Sequence, residues 1–119
     1  MLNRQQKFEE AIKMTNMALT LDPNNPRIIS DLAFSYGNLG WKEKSQNREA
    51  REYFDSAYAL YKKVRKIGPL MQDQLFQWSI TLFYDGKYKD SLEKLNKAKK
   101  LGFNAPKGFV KALNSKLDQ

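Results

Sequence analysis

The chain contains no cysteine and no histidine among its 119 residues. These two absences remove the commonest thiol nucleophile, the commonest general base and most of the side chains that bind transition metals. The 13 acidic residues are scattered along the chain, and none is marked as a member of a buried carboxylate pair. The sequence therefore predicts that the protein is not an enzyme and has no catalytic residue, no metal site and no cofactor.

Long apolar runs are also absent. No run approaches the roughly 18 residues that a membrane-spanning helix needs. The opening MLNRQQKFEE has no apolar segment behind a basic start, so it does not resemble an export signal. We therefore predict no transmembrane segment and a cytoplasmic location; the lack of cysteine fits an oxidising and a reducing compartment equally well.

Glycine and proline are few, and they divide the chain into segments in which apolar residues recur three and four positions apart, the spacing of one helix face. The first predicted helix covers residues 4–20, with Asn3 and Gln6 as a capping box. In the second helix, Gly40 is interpreted as the left-handed residue that ends it. The later helices are predicted from Pro26 to Gly40, from Ala50 to Gly68, over residues 70–84, from Tyr88 to Leu101, and from Pro106 to Leu117.

The segment Phe8-Glu-Glu-Ala11-Ile, followed by Ala18-Leu and by Leu21-Asp-Pro23-Asn-Asn, resembles the second helix and exit turn of a tetratricopeptide repeat. In that family, small residues let neighbouring helices approach closely and a proline ends the second helix. The resemblance continues through about residue 117. It implies an all-α fold, a right-handed superhelical stack of antiparallel helical hairpins with about six helices, whose usual task is to bind other proteins.

The repeat spacing departs from the family. The small residues Ala11, Ala50 and Ser91 lie 39 and 41 positions apart, whereas the usual period is about 34. Five of the extra residues lie between Gly40 and Ala50 and seven between Ala57 and Gly68-Pro69, so the middle hairpin is enlarged at both ends. The insertion from Trp41 to Asn47 is interpreted as a contact loop or as a longer helix. We predict one domain with a partial repeat (4–25), an enlarged repeat (26–67), a repeat (70–104) and a capping helix (105–117). Its start fits a lone capping helix or, as we prefer, a segment of a longer repeat protein.

The resemblance also implies a concave groove lined by the first helix of each hairpin. The expected groove residues lie on the helix faces turned away from the packed stripe: Arg27, Ser30, Phe34 and Asn38 in the second helix, and Asp73, Phe76, Gln77, Ile80, Phe83 and Tyr84 in the fourth. Their apolar members favour the binding of a partner helix or extended peptide, or burial against a neighbouring part of the same protein. The basic clamp that some family members use for acidic chaperone tails is not evident.

Positive charge is concentrated in the second half of the chain. Residues 1–59 hold eight basic and eight acidic residues, whereas residues 60–119 hold 13 and five. An alternative function is therefore the binding of RNA, DNA or an acidic protein. The residues of this polyanion patch are Lys62, Lys63, Arg65, Lys66, Lys97 and Lys100. A solvated helix surface is the simpler interpretation of the lysines, and Trp78, Ser79 and Ser91 are interpreted as packing residues.

Overall fold

The computed structural model describes the backbone of residues 4–119 and the side chains from Lys7 onward. The described residues form six helices and no strand: α1 (Arg4–Leu21), α2 (Pro26–Ser45), α3 (Arg51–Ile67), α4 (Gln72–Tyr84), α5 (Tyr88–Lys100) and α6 (Lys107–Leu117). Helices that follow one another pack in pairs. The all-α arrangement of helical hairpins is thereby confirmed. The superhelical handedness stays a prediction, and the capping box of Asn3 and Gln6 falls outside the described side chains.

The chain divides into two compact units, unit 1 (residues 1–69) and unit 2 (residues 70–119). In unit 1, α2 packs against α1 and α3; in unit 2, α5 packs against α4 and α6. The division follows Gly68-Pro69, where the backbone N–H of Gly68 makes the last helical hydrogen bond of α3, to Val64. It coincides with the predicted border between the enlarged repeat and the next one, while the single-domain assignment stays a prediction.

The start of α2 is fixed by Asn25 and Pro26. The side-chain oxygen of Asn25 accepts hydrogen bonds from the backbone N–H groups of Arg27 (3.0 Å) and Ile28 (3.2 Å). Its side-chain nitrogen donates to Asp22 (2.9 Å), the residue directly after α1, so the cap is tied to the start of the preceding turn. Pro26 occupies the first helical position, where its missing N–H costs nothing. The sequence predicted this boundary correctly because all of its signals are local.

The predicted helix end at Gly40 is wrong, because α2 continues to Ser45. Gly40 is a buried position inside the helix, and a Cβ placed there would lie 2.8–2.9 Å from three ring carbons of Phe54. The glycine therefore lets the Phe54 ring of α3 lie directly against the α2 backbone. The Trp41–Asn47 insertion is mostly additional helix, so the longer-helix interpretation is confirmed.

The turn between α2 and α3 is closed by a bidentate ion pair. The Arg48 guanidinium donates to both carboxylate oxygens of Glu43, at 2.6 and 3.0 Å. Hydrogen bonding from Arg48 lowers the pKa of Glu43. Asn47 has a φ of 59°, so it supplies the left-handed conformation that the sequence interpretation had placed at Gly40.

In unit 2, the contact between α4 and α5 is built around Ser79 and Ser91, both fully buried. The Ser79 hydroxyl donates to the carbonyl of Ser91 (2.7 Å), and the Ser91 hydroxyl donates to the carbonyl of Ser79 (2.8 Å). The two hydroxyl oxygens are 3.0 Å apart. Two small side chains that bond each other's backbone allow a close approach of the helices, so their interpretation as packing residues is confirmed.

Further contacts define the turn, the start of α4 and the packing of Trp78 in the α4–α5 hairpin. Gly86 in the turn has a φ of 80°, a conformation that glycine adopts without steric cost. The Gln74 side chain accepts the backbone N–H of Met71 (2.8 Å) at the start of α4. Trp78 is buried, as predicted, and the Lys94 ammonium of α5 lies 4.3 Å from the centre of its ring. This cation–π contact keeps the lysine charge against an aromatic face.

Candidate protein-binding surfaces

The predicted groove face of α4 carries aromatic rings that make contacts within unit 2. The Phe76 ring centre lies 4.6 Å from that of Phe103 and 5.3 Å from that of Phe109. The Phe83 ring lies 5.4 Å from the rings of both Tyr88 and Phe109. Phe76 and Phe83 are half-buried. The sequence left open whether these residues bind a partner or are buried against another part of the same protein, and the structure places Phe109 of α6 against both rings.

The other predicted groove residues of α4 surround this aromatic contact. Ile80 and Tyr84 are half-buried, and the Tyr84 ring lies 6.4 Å from that of Phe83. The Asp73 carboxylate accepts a hydrogen bond from the neighbouring backbone N–H of Gln74 (3.0 Å). The side-chain oxygen of Gln77 is buried without a hydrogen-bond partner. This part of the predicted set therefore forms one face of α4 with both apolar and polar side chains.

The predicted groove residues of α2 belong to unit 1. Arg27, Phe34 and Asn38 are half-buried. Ser30 is fully buried, and its hydroxyl donates to the carbonyl of Arg27 (3.0 Å). The sequence placed Ser30 on the groove face, but the structure gives it no accessible side-chain surface. The hydroxyl instead satisfies a backbone carbonyl in the first turn of α2.

An apolar surface that the sequence prediction missed lies on α1. None of the described α1 side chains is buried. Met14, Met17 and Leu21 are 63%, 61% and 88% exposed, and their spacing of three and four residues puts them in one row, which we call the α1 apolar stripe. A shallow depression of about 780 Å³ beside it is lined by apolar and polar α1 side chains, among them Ile12, Lys13 and Asn16. Large exposed apolar groups in a row are typical of interaction surfaces.

The predicted polyanion patch is exposed but is divided between the two units. Lys62, Lys63, Arg65 and Lys66 lie on α3 in unit 1, and Lys97 and Lys100 lie on α5 in unit 2. Lys97 is 3.3 Å from the Glu93 carboxylate, and its hydrogen bond is the main cause of the lowered pKa of Glu93. The denser group is therefore the one on α3, with four basic residues in five positions.

The described residues show no arrangement suited to metal binding, since no three of their acidic side chains lie together. Ser79 and Ser91, the buried serines of unit 2, are bonded to each other's backbone. In the part of the chain that the structure describes, no helix is both long and apolar enough to cross a membrane.

Comparison of the chain with models of protein families, with curated proteins and with solved structures gives no match.

Proposed function

We propose that this chain is a non-catalytic protein-interaction module or scaffold, built from tetratricopeptide-type hairpins, that binds a peptide or helix of a partner protein. The observation that carries the proposal is the α1 apolar stripe of Met14, Met17 and Leu21. Fully burying side chains of this kind contributes about 1.5–3 kcal/mol each. Leaving three of them in water forgoes that gain, and a partner that covers them recovers it. A cytoplasmic location belongs to the same proposal.

The form of the stripe favours a helix as the partner. The backbone groups along α1 are engaged within the helix, so α1 offers no free edge to which an extended strand could hydrogen-bond. A helix satisfies its own backbone and presents apolar residues at the matching spacing of three and four. Methionine adds adaptability, since its unbranched side chain fits irregular surfaces. The predicted groove residues of α2 and those of α4, each taken within its own unit, stay further candidate surfaces for the same function.

The test replaces Met14, Met17 and Leu21 together by glutamine in the full chain. We expect this variant to lose a partner that the unaltered chain captures from cell lysate, because glutamine keeps helix propensity while removing the apolar row. The captured protein's contact helix is then made as a synthetic peptide and titrated by fluorescence anisotropy. Its affinity should fall at least about tenfold, the equivalent of roughly 1.4 kcal/mol.

A matched control replaces the exposed apolar residues Ile67, Met71 and Leu101 by glutamine. They are 42%, 59% and 56% exposed, so the control removes a comparable amount of apolar surface elsewhere. Capture should be unchanged in this variant. Partner binding that survives the α1 substitutions, or the absence of any specific partner, would contradict the proposal.

The second candidate function, polyanion binding, is favoured by the exposed basic group of α3. We expect a chain of this kind to bind RNA or DNA more weakly as salt rises, because neutralised phosphates release their counterions. Replacing Lys62, Lys63 and Lys66 by glutamine should reduce the slope of log K against log salt by about 2–3 units. Replacing Lys107, Lys111 and Lys116 of α6 changes the net charge equally and serves as the control. If the two triple variants change the salt slope equally, the assignment of the polyanion-binding site to α3 is contradicted.

A further inference from the structure

Helix α6 packs against α5 and places a short apolar row toward the rest of unit 2. The Phe109 ring contacts both Phe76 and Phe83 of α4, at centre distances of 5.3 and 5.4 Å. Leu113, four positions later and on the same face, is fully buried and is the only buried side chain of α6. Val110 and Leu117 are half-buried beside this row. The packed side of α6 therefore includes an aromatic residue and a leucine one turn apart.

Few other features stabilise α6 as a helix. It has 11 residues, and no side chain caps its first turn at Pro106. Helices shorter than about 12–15 residues are marginal in water without packing. Gly108, Lys111, Ala112 and Ser115 are exposed. The helical state of α6 consequently depends on the seating of Phe109 and Leu113.

The charge of α6 does not complement the helix that it packs against. Between Tyr88 and Lys100, α5 has five lysines and two acidic residues. Between Lys107 and Leu117, α6 has three lysines and no acidic residue. Two positively charged helices repel each other, whereas an acidic helix in the place of α6 would be attracted. The apolar row therefore favours α6 at this place, whereas the net positive charge of α5 favours an acidic helix.

We propose that the face of α4 that carries Phe76 and Phe83 is a docking surface for an amphipathic helix of a partner protein, and that α6 is its resident occupant, which the partner replaces. The partner helix has an aromatic residue followed by leucine four positions later, and an acidic outer face. This surface belongs to unit 2 and consists of other residues than the α1 apolar stripe of unit 1.

Replacement of α6 has a quantitative consequence. A partner binds only the fraction of molecules from which α6 is detached, so its apparent dissociation constant is the intrinsic one divided by that fraction. Any change that weakens the α6 helix without touching the docking surface should therefore increase partner affinity. If this face of α4 is simply part of the core, weakening the α6 helix should not increase the affinity for a partner.

The test uses three fluorescently labelled peptides and the full chain. The first peptide has the sequence of residues 105–119. The second has glutamate in place of Lys107, Lys111 and Lys116, and the third has serine in place of Phe109 and Leu113. The protein variant is Ala112→Gly, an exposed substitution that weakens α6 alone, and its control is Ala59→Gly at an exposed position of α3 in unit 1.

We expect the acidic peptide to bind more tightly than the lysine-containing one, with the difference shrinking as salt rises, and the serine peptide not to bind. Ala112→Gly should tighten binding of the first two peptides about fivefold, and Ala59→Gly should leave it unchanged. Equal affinities for Ala112→Gly and the unaltered chain, binding of the serine peptide, or no binding of any peptide would overturn the proposal. Substituting Met14, Met17 and Leu21 should not affect these titrations, which separates this result from that for the α1 stripe.

Discussion

Leucine in place of Ser79 is expected to destabilise unit 2 by about 4 kcal/mol. The Ser79 side chain is fully buried where α4 approaches α5. Overpacking at such a contact typically costs about 1–3 kcal/mol. Forcing the helices apart also breaks the reciprocal hydrogen bonds with Ser91, at about 1 kcal/mol for each bond lost. A loss of this size is a large part of the roughly 5–15 kcal/mol that stabilises an ordinary domain.

Urea unfolding followed by tryptophan fluorescence measures this effect. Trp78 lies on α4 in unit 2, and a Trp41→Phe background makes it the only tryptophan. Ser79→Ala should cost less than about 1.5 kcal/mol, because it creates no overlap and leaves the Ser91 hydroxyl bonded to the backbone. Ser115→Leu on the exposed side of α6 should change the free energy of unfolding by less than about 0.5 kcal/mol. Similar midpoints for Ser79→Leu and Ser115→Leu would contradict the close-packed contact.

The helices could be predicted from the sequence because their signals are local. Apolar residues repeat at helical spacing, and the breaks at Pro26, Gly68-Pro69 and Gly86 combine glycine or proline with a sharp end of that repeat. The structure begins or ends a helix at each of these places. The packing role of Ser79 and of Ser91 was also predictable, since both are small residues in an otherwise large apolar pattern, whereas their hydrogen bonds to each other were not.

Whether the predicted groove is open or covered by another helix could not be predicted in the same way. The apolar pattern of α4 shows which residues share a face, but it does not show whether another element covers that face. Phe76 and Phe83 are contacted by Phe109, which belongs to a different helix after an intervening non-helical segment. Ser30 was misplaced for a related reason, because a small polar residue on a helix face can be buried once its hydroxyl bonds a backbone carbonyl.

The α1 apolar stripe was missed although its residues carry a recognisable pattern. The prediction used the row that includes Phe8, Ala11 and Ala18, and this row was sufficient to define a helix. Met14, Met17 and Leu21 form a second row at the same spacing on another side of that helix. A helix that is apolar on more than one side is typical of a covered element, so the residue pattern of α1 by itself favours a partner for this helix.

Valine in place of Gly40 is expected to destabilise unit 1 by about 3 kcal/mol, and it separates the two interpretations of this glycine. A residue that merely ends a helix would tolerate a side chain at moderate cost. The structure instead places the Cβ position 2.8–2.9 Å from ring carbons of Phe54, whose side chain is buried, so that a side chain at residue 40 forces the packing to shift. Overpacking outweighs the gain in helix propensity, which is about a few tenths of a kcal/mol for Gly→Val.

Two comparisons make the assignment of Gly40 specific. Gly108→Val introduces the same side chain into α6, where nothing lies within 4 Å of the new Cβ, and it should leave the free energy of unfolding nearly unchanged. Phe54→Leu removes the ring from the contact and should make the Gly40→Val substitution less costly, with a coupling energy of about 1–2 kcal/mol in a double-mutant cycle of urea unfolding. Additive effects of the two substitutions would mean that Gly40 is required by the α2 backbone alone, because only a direct contact makes the cost of valine depend on the Phe54 ring.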